Sequence, residues 1–143
     1  MVKVMMALKG SGKTKTLVEL VKKALKEEHG NVVCIEKDKD LTFDIPHACR
    51  LIHAGEYGIN SNDLFRGFIS GLHAGNYDIT HIFVDNFYKM LSDTSDEKVA
   101  ELLDWMDAFG RRENVKFTIS ATAEADKRSE AVRKYVVPTT SLL

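Results

Sequence analysis

Four short apolar runs divide the chain, and polar or helically spaced segments separate them. Runs that are apolar on both faces are typical of central strands in a parallel sheet, where helices cover both sides. Each run therefore predicts a buried β-strand. The four runs are Val2 to Met6, Val32 to Ile35, Ile79 to Val84 and Val115 to Ser120.

The segments between these runs carry apolar residues three and four positions apart, which is the spacing of one face of an α-helix. The last of them is charged and only weakly amphipathic. The predicted helices are Lys13 to His29, Asn60 to Ala74, Asp96 to Phe109 and Ala125 to Tyr135.

Glycines punctuate the helical segments. Gly30 and Gly110 follow the first and third helices, where glycine commonly ends a helix. Gly67 and Gly71 lie inside the second helix and weaken it, and we expect them to allow close packing on the sheet.

Two segments are harder to assign. Leu41 to Gly58 has no clean period and contains Pro46, so we interpret it as a long connection with a short strand at Arg50 to His53. Val136 and Val137 predict a short last strand before Pro138.

Strands that alternate with helices predict an α/β fold, in which a mainly parallel sheet of four or five strands lies between two helical layers. Residues 1–137 are expected to form one nucleotide-binding domain, and residues 138–143 a mobile C-terminal tail. Ligands of such sheets bind at the carboxyl ends of the strands. The chemistry is therefore expected at that edge.

Composition narrows the classes of function. A chain of 143 residues with net charge −1 suits one globular domain and gives no clear nucleic-acid signal. The two cysteines form no metal or disulfide framework, and the five histidines have no ligand spacing. No stretch is long and apolar enough to span a bilayer, and the N-terminal run is too short for a signal sequence. These features predict a cytoplasmic location.

The stretch from Ala7 to Thr14 carries the strongest chemical signal. It fits the pattern G-x-x-x-x-G-K-[ST] except that alanine replaces the first glycine, and it lies between a predicted strand and a predicted helix. Such a loop cradles phosphates with its amides, while its lysine contacts the β- and γ-phosphates and its hydroxyl residue binds Mg²⁺. The nucleotide-binding residues predicted here are Lys9, Gly10, Ser11, Gly12, Lys13 and Thr14.

On this motif the chain resembles the P-loop nucleoside triphosphatases, which implies a nucleoside triphosphate ligand with Mg²⁺; we expect ATP, although the motif does not distinguish ATP from GTP. The run Ile82 to Asp85 ends in an acid, as the Walker B strand of that class does, so Asp85 is predicted to lie near the metal. Asn86 follows it. Many ATPases with an additional central strand carry glutamate there, and asparagine can orient water but cannot accept its proton.

Glu36 ends the strand after the P-loop helix and is the second predicted catalytic acid. The stretch Val33 to Asp38 resembles the acidic box of pilus-retraction, or twitching-motility, and type II secretion ATPases, which implies a catalytic glutamate at this position. Lys37 and Asp38 replace the aspartate and proline of that box. The predicted catalytic residues are Lys13, Glu36, Asp85 and Asn86, and the predicted metal ligands are Thr14 and Asp85.

Ser120 ends the fourth predicted strand and Thr122 follows it closely, at the place where related ATPases carry a polar sensor of the γ-phosphate. Thr122 is therefore added to the nucleotide-binding residues. Four arginines are candidates for a phosphate clamp or finger, and none is singled out: Arg111, Arg112, Arg128 and Arg133.

Three functions remain open at this point. The first is an Mg²⁺-dependent ATP hydrolase that acts in a homo-oligomer or with a protein partner. The second is a small nucleoside or nucleotide kinase, whose acceptor pocket would form in the segment from Leu41 to Gly58. The third is a nucleotide-dependent interaction module without turnover.

Overall fold

A computed structural model describes residues 2–142 of the chain. These residues form five strands and four α-helices, which alternate except that β3 follows β2 directly, and short 3-10 turns follow several of them. In chain order the elements are β1 (Val2–Ala7), α1 (Lys13–Glu27), β2 (Asn31–Glu36), β3 (Arg50–His53), α2 (Asn62–Gly75), β4 (Ile79–Val84), α3 (Asp96–Glu113), β5 (Lys116–Thr122) and α4 (Glu130–Arg133).

All five strands are parallel, and their order across the sheet is β1-β5-β4-β2-β3. The chain crosses from β1 to β2 in one direction and returns from β3 through β4 to β5 in the other. Because parallel crossovers are right-handed, this reversal places α1 on one face of the sheet and α2 and α3 on the opposite face. The α/β prediction is confirmed, and β5 lies between the strand that enters the glycine loop and the strand that ends before Asp85.

The two faces of the sheet have separate cores. The face toward α2 and α3 holds the larger cluster, which contains Phe65, Phe87 and Phe117. The face toward α1 holds a smaller one, which α1 shares with Leu41, Ile45 and Cys49 from the segment between β2 and β3. That segment therefore covers part of this face of the sheet, where a second helix would otherwise pack.

The edge strand predicted at Arg50 to His53 is present and pairs with β2. The prediction that Gly110 ends the third helix is wrong, because α3 continues to Glu113. Gly110 is buried in the helix, and Asn114 with φ 62° ends it instead. Asparagine tolerates the left-handed conformation that a helix end commonly requires.

The predicted helix from Ala125 to Tyr135 is also wrong. It is a 3-10 turn at Ala125–Lys127 and the short α4, with extended backbone between them. The Asp96 carboxylate accepts hydrogen bonds from the Arg128 guanidinium at 3.2 Å and from the Ser129 amide at 2.8 Å. Contacts to the start of α3 thus hold this segment out of a helix.

The predicted last strand is reduced to one parallel bridge. Val136 pairs with Val4 at the outer edge of β1, and the Val137 amide donates to the Val4 carbonyl at 3.0 Å. Beyond it, a 3-10 turn at Thr139–Ser141 brings Leu142 against the core on the α1 side. Within residues 2–142, no helix combines the length and apolarity that a bilayer crossing requires.

The glycines of α2 do not serve close packing. Gly67 and Gly71 are exposed, and nothing lies within 4 Å of a Cβ built at either position. Gly30 is the tight position instead, since a Cβ there would stand 2.3 Å from both the Asp78 carbonyl oxygen and the Thr80 Cγ2 atom.

We predict that Gly30→Ala lowers the free energy of unfolding by about 1–3 kcal/mol, because backbone must move where β2 enters the sheet beside β4. Gly71→Ala is the control, and it should raise that energy by about 0.5–1 kcal/mol through helix propensity alone. Urea unfolding measures both. Equal effects of the two substitutions would contradict the packing argument.

A polar cluster lies at the amino ends of the strands, away from the glycine loop. The His81 Nε2 atom is 2.8 Å from the Thr118 hydroxyl, and the ring stacks on Phe83 with centroids 4.1 Å apart. Glu28 accepts a hydrogen bond from Lys116 at 2.7 Å and lies 4.0 Å from the His81 Nδ1 atom. Burial lowers the pKa of His81 from 6.5 to about 4, against the opposing pull of Glu28.

A buried histidine of this kind makes stability depend on pH. Between pH 6.5 and about 4 the unfolded chain binds a proton at His81 that the folded chain does not. Stability should therefore fall as pH drops through this window, by roughly 3 kcal/mol at most. We predict that His81→Gln flattens this slope in urea unfolding, whereas His47→Gln, on an exposed loop, leaves it unchanged. Equal slopes in all three proteins would contradict the assignment to His81.

Candidate functional site

The loop between β1 and α1 has the backbone geometry of an anion cradle. Gly10 and Gly12 both have φ 86°, in the positive-φ region that glycine adopts without steric cost. No atom lies within 4 Å of a Cβ built at either position. The backbone can therefore approach a bound group closely, with successive amides directed toward it.

The amino end of α1 differs from those of the other long helices. Ser61 and Ser95 cap α2 and α3, and their hydroxyls accept hydrogen bonds from the Leu64 and Lys98 amides. Gly12 occupies the corresponding position of α1, without a side-chain cap and without an acid in the first turn. The amides and dipole of α1 are thus left for an external anion.

Lys13 lies within this loop and is almost fully buried. Its ammonium donates to the Leu8 carbonyl at 3.1 Å and to the Ser11 hydroxyl at 3.4 Å. Burial lowers the pKa of Lys13, and the negative charge of Asp85 partly offsets this. Because the buried Lys13 ammonium has only these long hydrogen bonds, an anionic ligand bound nearby would stabilise its charge.

Asp85 is the centre of the polar contacts at the carboxyl edge. One carboxylate oxygen accepts from the Ser120 hydroxyl at 2.6 Å, and the Thr14 hydroxyl donates to the same carboxylate at 3.1 Å. The Asp85 amide donates to the Ile35 carbonyl at 2.8 Å. The first turn of α1 and the ends of β2, β4 and β5 therefore meet at one residue, Asp85, which bonds to α1 and β5 through its carboxylate and to β2 through its amide.

Asn86 continues this network. Its amide donates to the Ser120 hydroxyl at 2.9 Å, and its side chain lies 3.4 Å from Asp85 and 3.5 Å from the Thr122 hydroxyl. Its φ is 53°, a left-handed conformation that asparagine tolerates better than glutamate does. This backbone conformation favours asparagine over glutamate at position 86.

The donor set fits Mg²⁺. Mg²⁺ is commonly held by one or two protein oxygens together with substrate phosphates and waters. The Thr14 hydroxyl and the Asp85 carboxylate supply oxygens 3.1 Å apart at the foot of the loop. Residues 2–142 contain no group of three or more His, Cys, Asp and Glu side chains that could hold a metal ion.

A cavity of about 650 Å³ opens above these residues. The glycine loop and the first turn of α1 form one wall, and the chain after β4 and the end of β5 form another. Asp40 lines the cavity from the loop after β2. The lining residues are Lys9, Gly10, Gly12, Lys13, Thr14, Lys15, Asp40, Asn86, Tyr88, Lys89 and Thr122.

Glu36 is placed differently from the other predicted residues. It is buried, it does not line the cavity, and both carboxylate oxygens lie 3.1 Å from the Leu41 amide nitrogen. The His53 Nδ1 atom is 3.3 Å from it. Burial raises the pKa of Glu36, while the Leu41 amide and His53 act in the opposite direction. Its catalytic role stays a prediction.

The candidate arginines do not meet at this site in the part of the chain that the structure describes. None lines the cavity, and each has a carboxylate partner elsewhere. The pairs are Arg111 with Asp107, Arg112 with Glu113, Arg128 with Asp96 and Arg133 with Glu130.

Sequence reasoning missed four of the residues that line the cavity. Lys15 follows the motif directly, and Tyr88 and Lys89 follow Asp85 by three and four positions, so their nearness to the motifs was the available signal. Asp40 stands four residues after Glu36 in an alternating run of acids and lysines. The sequence does not show which of these acids faces the cavity, because that depends on the path of the loop.

Comparison with known proteins gives one positive result. The sequence model of the family described as "ATPase family associated with various cellular activities (AAA)" matches residues 4–137. No curated protein matches the chain.

We predict that Ser120→Ala lowers the free energy of unfolding by about 1–3 kcal/mol, because it removes a donor to Asp85 and an acceptor for the Asn86 amide at a buried position. Thr122→Ala, at an exposed position with one contact of 3.5 Å, should change it by less than about 0.5 kcal/mol. Urea unfolding compares the two, and an undiminished stability of Ser120→Ala would show that the network contributes little.

Proposed function

The chain belongs to the AAA family of ATPases, and from that membership and the site geometry we propose that it binds ATP with Mg²⁺ between the glycine loop and Asp85 and hydrolyses it. One observation carries the proposal. The Thr14 hydroxyl, which follows the loop lysine, lies 3.1 Å from Asp85 at the edge of a cavity that the loop lines. This is the pairing of hydroxyl and acid that a phosphate-bound Mg²⁺ requires.

Each residue of the site has a proposed task. The amides of Gly10 to Lys13 bind phosphate oxygens, and the Lys13 ammonium leaves the Leu8 carbonyl to contact the β- and γ-phosphates. Thr14 and Asp85 hold Mg²⁺, which compensates phosphate charge when bound. Ser120 orients Asp85, and Thr122 with Asn86 lies at the polar end of β5, where a hydroxyl or amide can contact the γ-phosphate or the attacking water.

The closer relation to pilus-retraction and type II secretion ATPases remains a proposal. It is supported by the strand that runs into Glu36 beside the Asp85 strand, since the Asp85 amide bonds to the Ile35 carbonyl. We also propose that the chain acts as a homo-oligomer or with a protein partner, because none of the described arginines reaches the cavity from within. A cytoplasmic location, where ATP and Mg²⁺ are abundant, stays a prediction.

Phosphate release separates the functional classes. Release from ATP and Mg²⁺ alone supports the hydrolase, release or transfer only with an added nucleoside supports the kinase, and binding without turnover supports the interaction module. Family membership favours the first.

We predict that Lys13→Ala abolishes nucleotide-dependent activity. The loss of one preorganised contact to developing phosphate charge typically costs about 3 kcal/mol in the transition state, or roughly a hundredfold in rate. Phosphate release measures activity, and calorimetry with ATP and Mg²⁺ measures affinity.

Lys22→Ala is the control for this prediction, since Lys22 is exposed on α1 and pairs with Glu19 at 3.6 Å. It should leave affinity and rate unchanged. If wild-type protein shows no nucleotide binding in Mg²⁺, or if both variants behave alike, the proposed site is wrong.

A further inference from the structure

We propose that Asp40 is the carboxylate that orients the attacking water and accepts its proton, and that Glu36 is a positioning residue that holds the Asp40 loop in place. The proposal rests on the proposed ATP hydrolysis. It assigns the chemistry to a residue that neither the motif nor the family match indicates.

The carboxylate of Glu36 is already occupied by the backbone of the loop that follows it. Its two oxygens accept from the Leu41 amide, and the Asp40 amide also donates to it. A carboxylate with these partners, buried to 3% exposure, lacks free access to a water in the cavity. Its geometry is that of a cap on a tight turn.

Other contacts fix the same turn from both ends. The Gly55 amide donates to the Lys37 carbonyl at 3.0 Å, and the His53 Nδ1 atom lies 2.9 Å from the Asp38 carbonyl oxygen. Leu41 is buried in the core beside α1. With Lys37 and Leu41 anchored, the exposed Asp40 between them is held at the wall of the cavity.

Asp40 is the only carboxylate among the described residues that line this cavity, whose other charged lining residues are lysines. A negative charge here opposes the binding of a triphosphate, since like charges repel strongly at short range. A carboxylate at this wall can offset that loss of binding energy if it acts as a general base and accelerates hydrolysis. Removal of the Asp40 charge should therefore raise the affinity for ATP with Mg²⁺ and lower the rate of hydrolysis.

The step balances without another reactant. The water oxygen forms a bond to the γ-phosphorus as the bond from that phosphorus to the β–γ bridging oxygen breaks, and the electron pair stays on ADP. The water proton passes to the Asp40 carboxylate and then to solvent. The products are ADP and inorganic phosphate.

The test uses the full chain and separates affinity from rate for ATP with Mg²⁺. Asp40→Asn should lower kcat by about 10²-fold or more, as expected for the loss of a general base. Its Kd for ATP with Mg²⁺ should stay equal or become smaller, because one repulsive charge is removed. Asp38→Asn is the matched control, an exposed acid in the same loop that does not line the cavity, and it should behave as wild type.

The two Glu36 variants test the positioning role. Glu36→Gln retains an oxygen that accepts from the Leu41 amide and should keep most of the wild-type kcat, whereas Glu36→Ala removes the acceptor and should lower kcat with a smaller effect on Kd. Rescue by glutamine is the readout that distinguishes a cap from a base. If Glu36→Ala fails to fold, Glu36→Gln and Asp40→Asn still decide the question.

The opposite pattern overturns the proposal. Full activity in Asp40→Asn together with a large loss in Glu36→Gln would return the role of base to Glu36 and leave the proposed hydrolysis intact. If wild-type protein binds ATP but releases no phosphate, the proposed function itself fails, and the Asp40 assignment fails with it. Equal losses in Asp40→Asn and Asp38→Asn would also overturn the assignment, because they would trace the effect to the loop as a whole.

Discussion

The carboxylate of Asp85 holds the carboxyl edge of the sheet together. It joins the first turn of α1 through Thr14 and the end of β5 through Ser120, while its own amide bonds to β2. A buried anion needs such donors, because without them the cost of removing it from water would not be recovered. The Ser120 hydroxyl donates to the Asp85 carboxylate and accepts from the Asn86 amide, so it joins the end of β5 to the chain that follows β4. Fold and site therefore depend on the same few hydrogen bonds.

Most of the sheet could be predicted from the sequence because its central strands are largely buried and read as mainly apolar runs. The errors occurred where distant side chains override local preference. Gly110 has the chemistry of a helix end, yet packing keeps it inside α3, and Asn114 takes the left-handed position. The segment from Ala125 has the composition of a helix, but Asp96, remote in sequence, bonds to Arg128 and Ser129 and keeps them extended. No local pattern contains that information.

Some residues of the candidate site could also be predicted from the sequence, and others could not. The motif predicted Lys13, Thr14 and their neighbours, and the strand pattern predicted Asp85, because the ends of parallel strands converge at one edge. The orientation of Glu36 could not be predicted, since the position of a residue at a strand end does not indicate whether its side chain meets the ligand or the turn that follows. Asn86 shows how backbone can select a residue type, because its left-handed conformation suits asparagine and disfavours the glutamate expected from related ATPases.

The segment between β2 and β3 has two surfaces with different duties. One side buries Leu41, Ile45 and Cys49 against α1, and the other presents Asp40 to the cavity beside the glycine loop. It contains no α-helix or β-strand before Arg50, so its local opening is resisted by the hydrogen bonds at Glu36, Lys37 and Asp38 and by three apolar side chains, at roughly 1.5–3 kcal/mol for each large one. Local opening of this segment would expose part of the core on the α1 side and remove one wall of the cavity at the same time. If the cavity binds a nucleotide as proposed, amide hydrogen exchange in this segment and the residence time of that nucleotide would report the same opening.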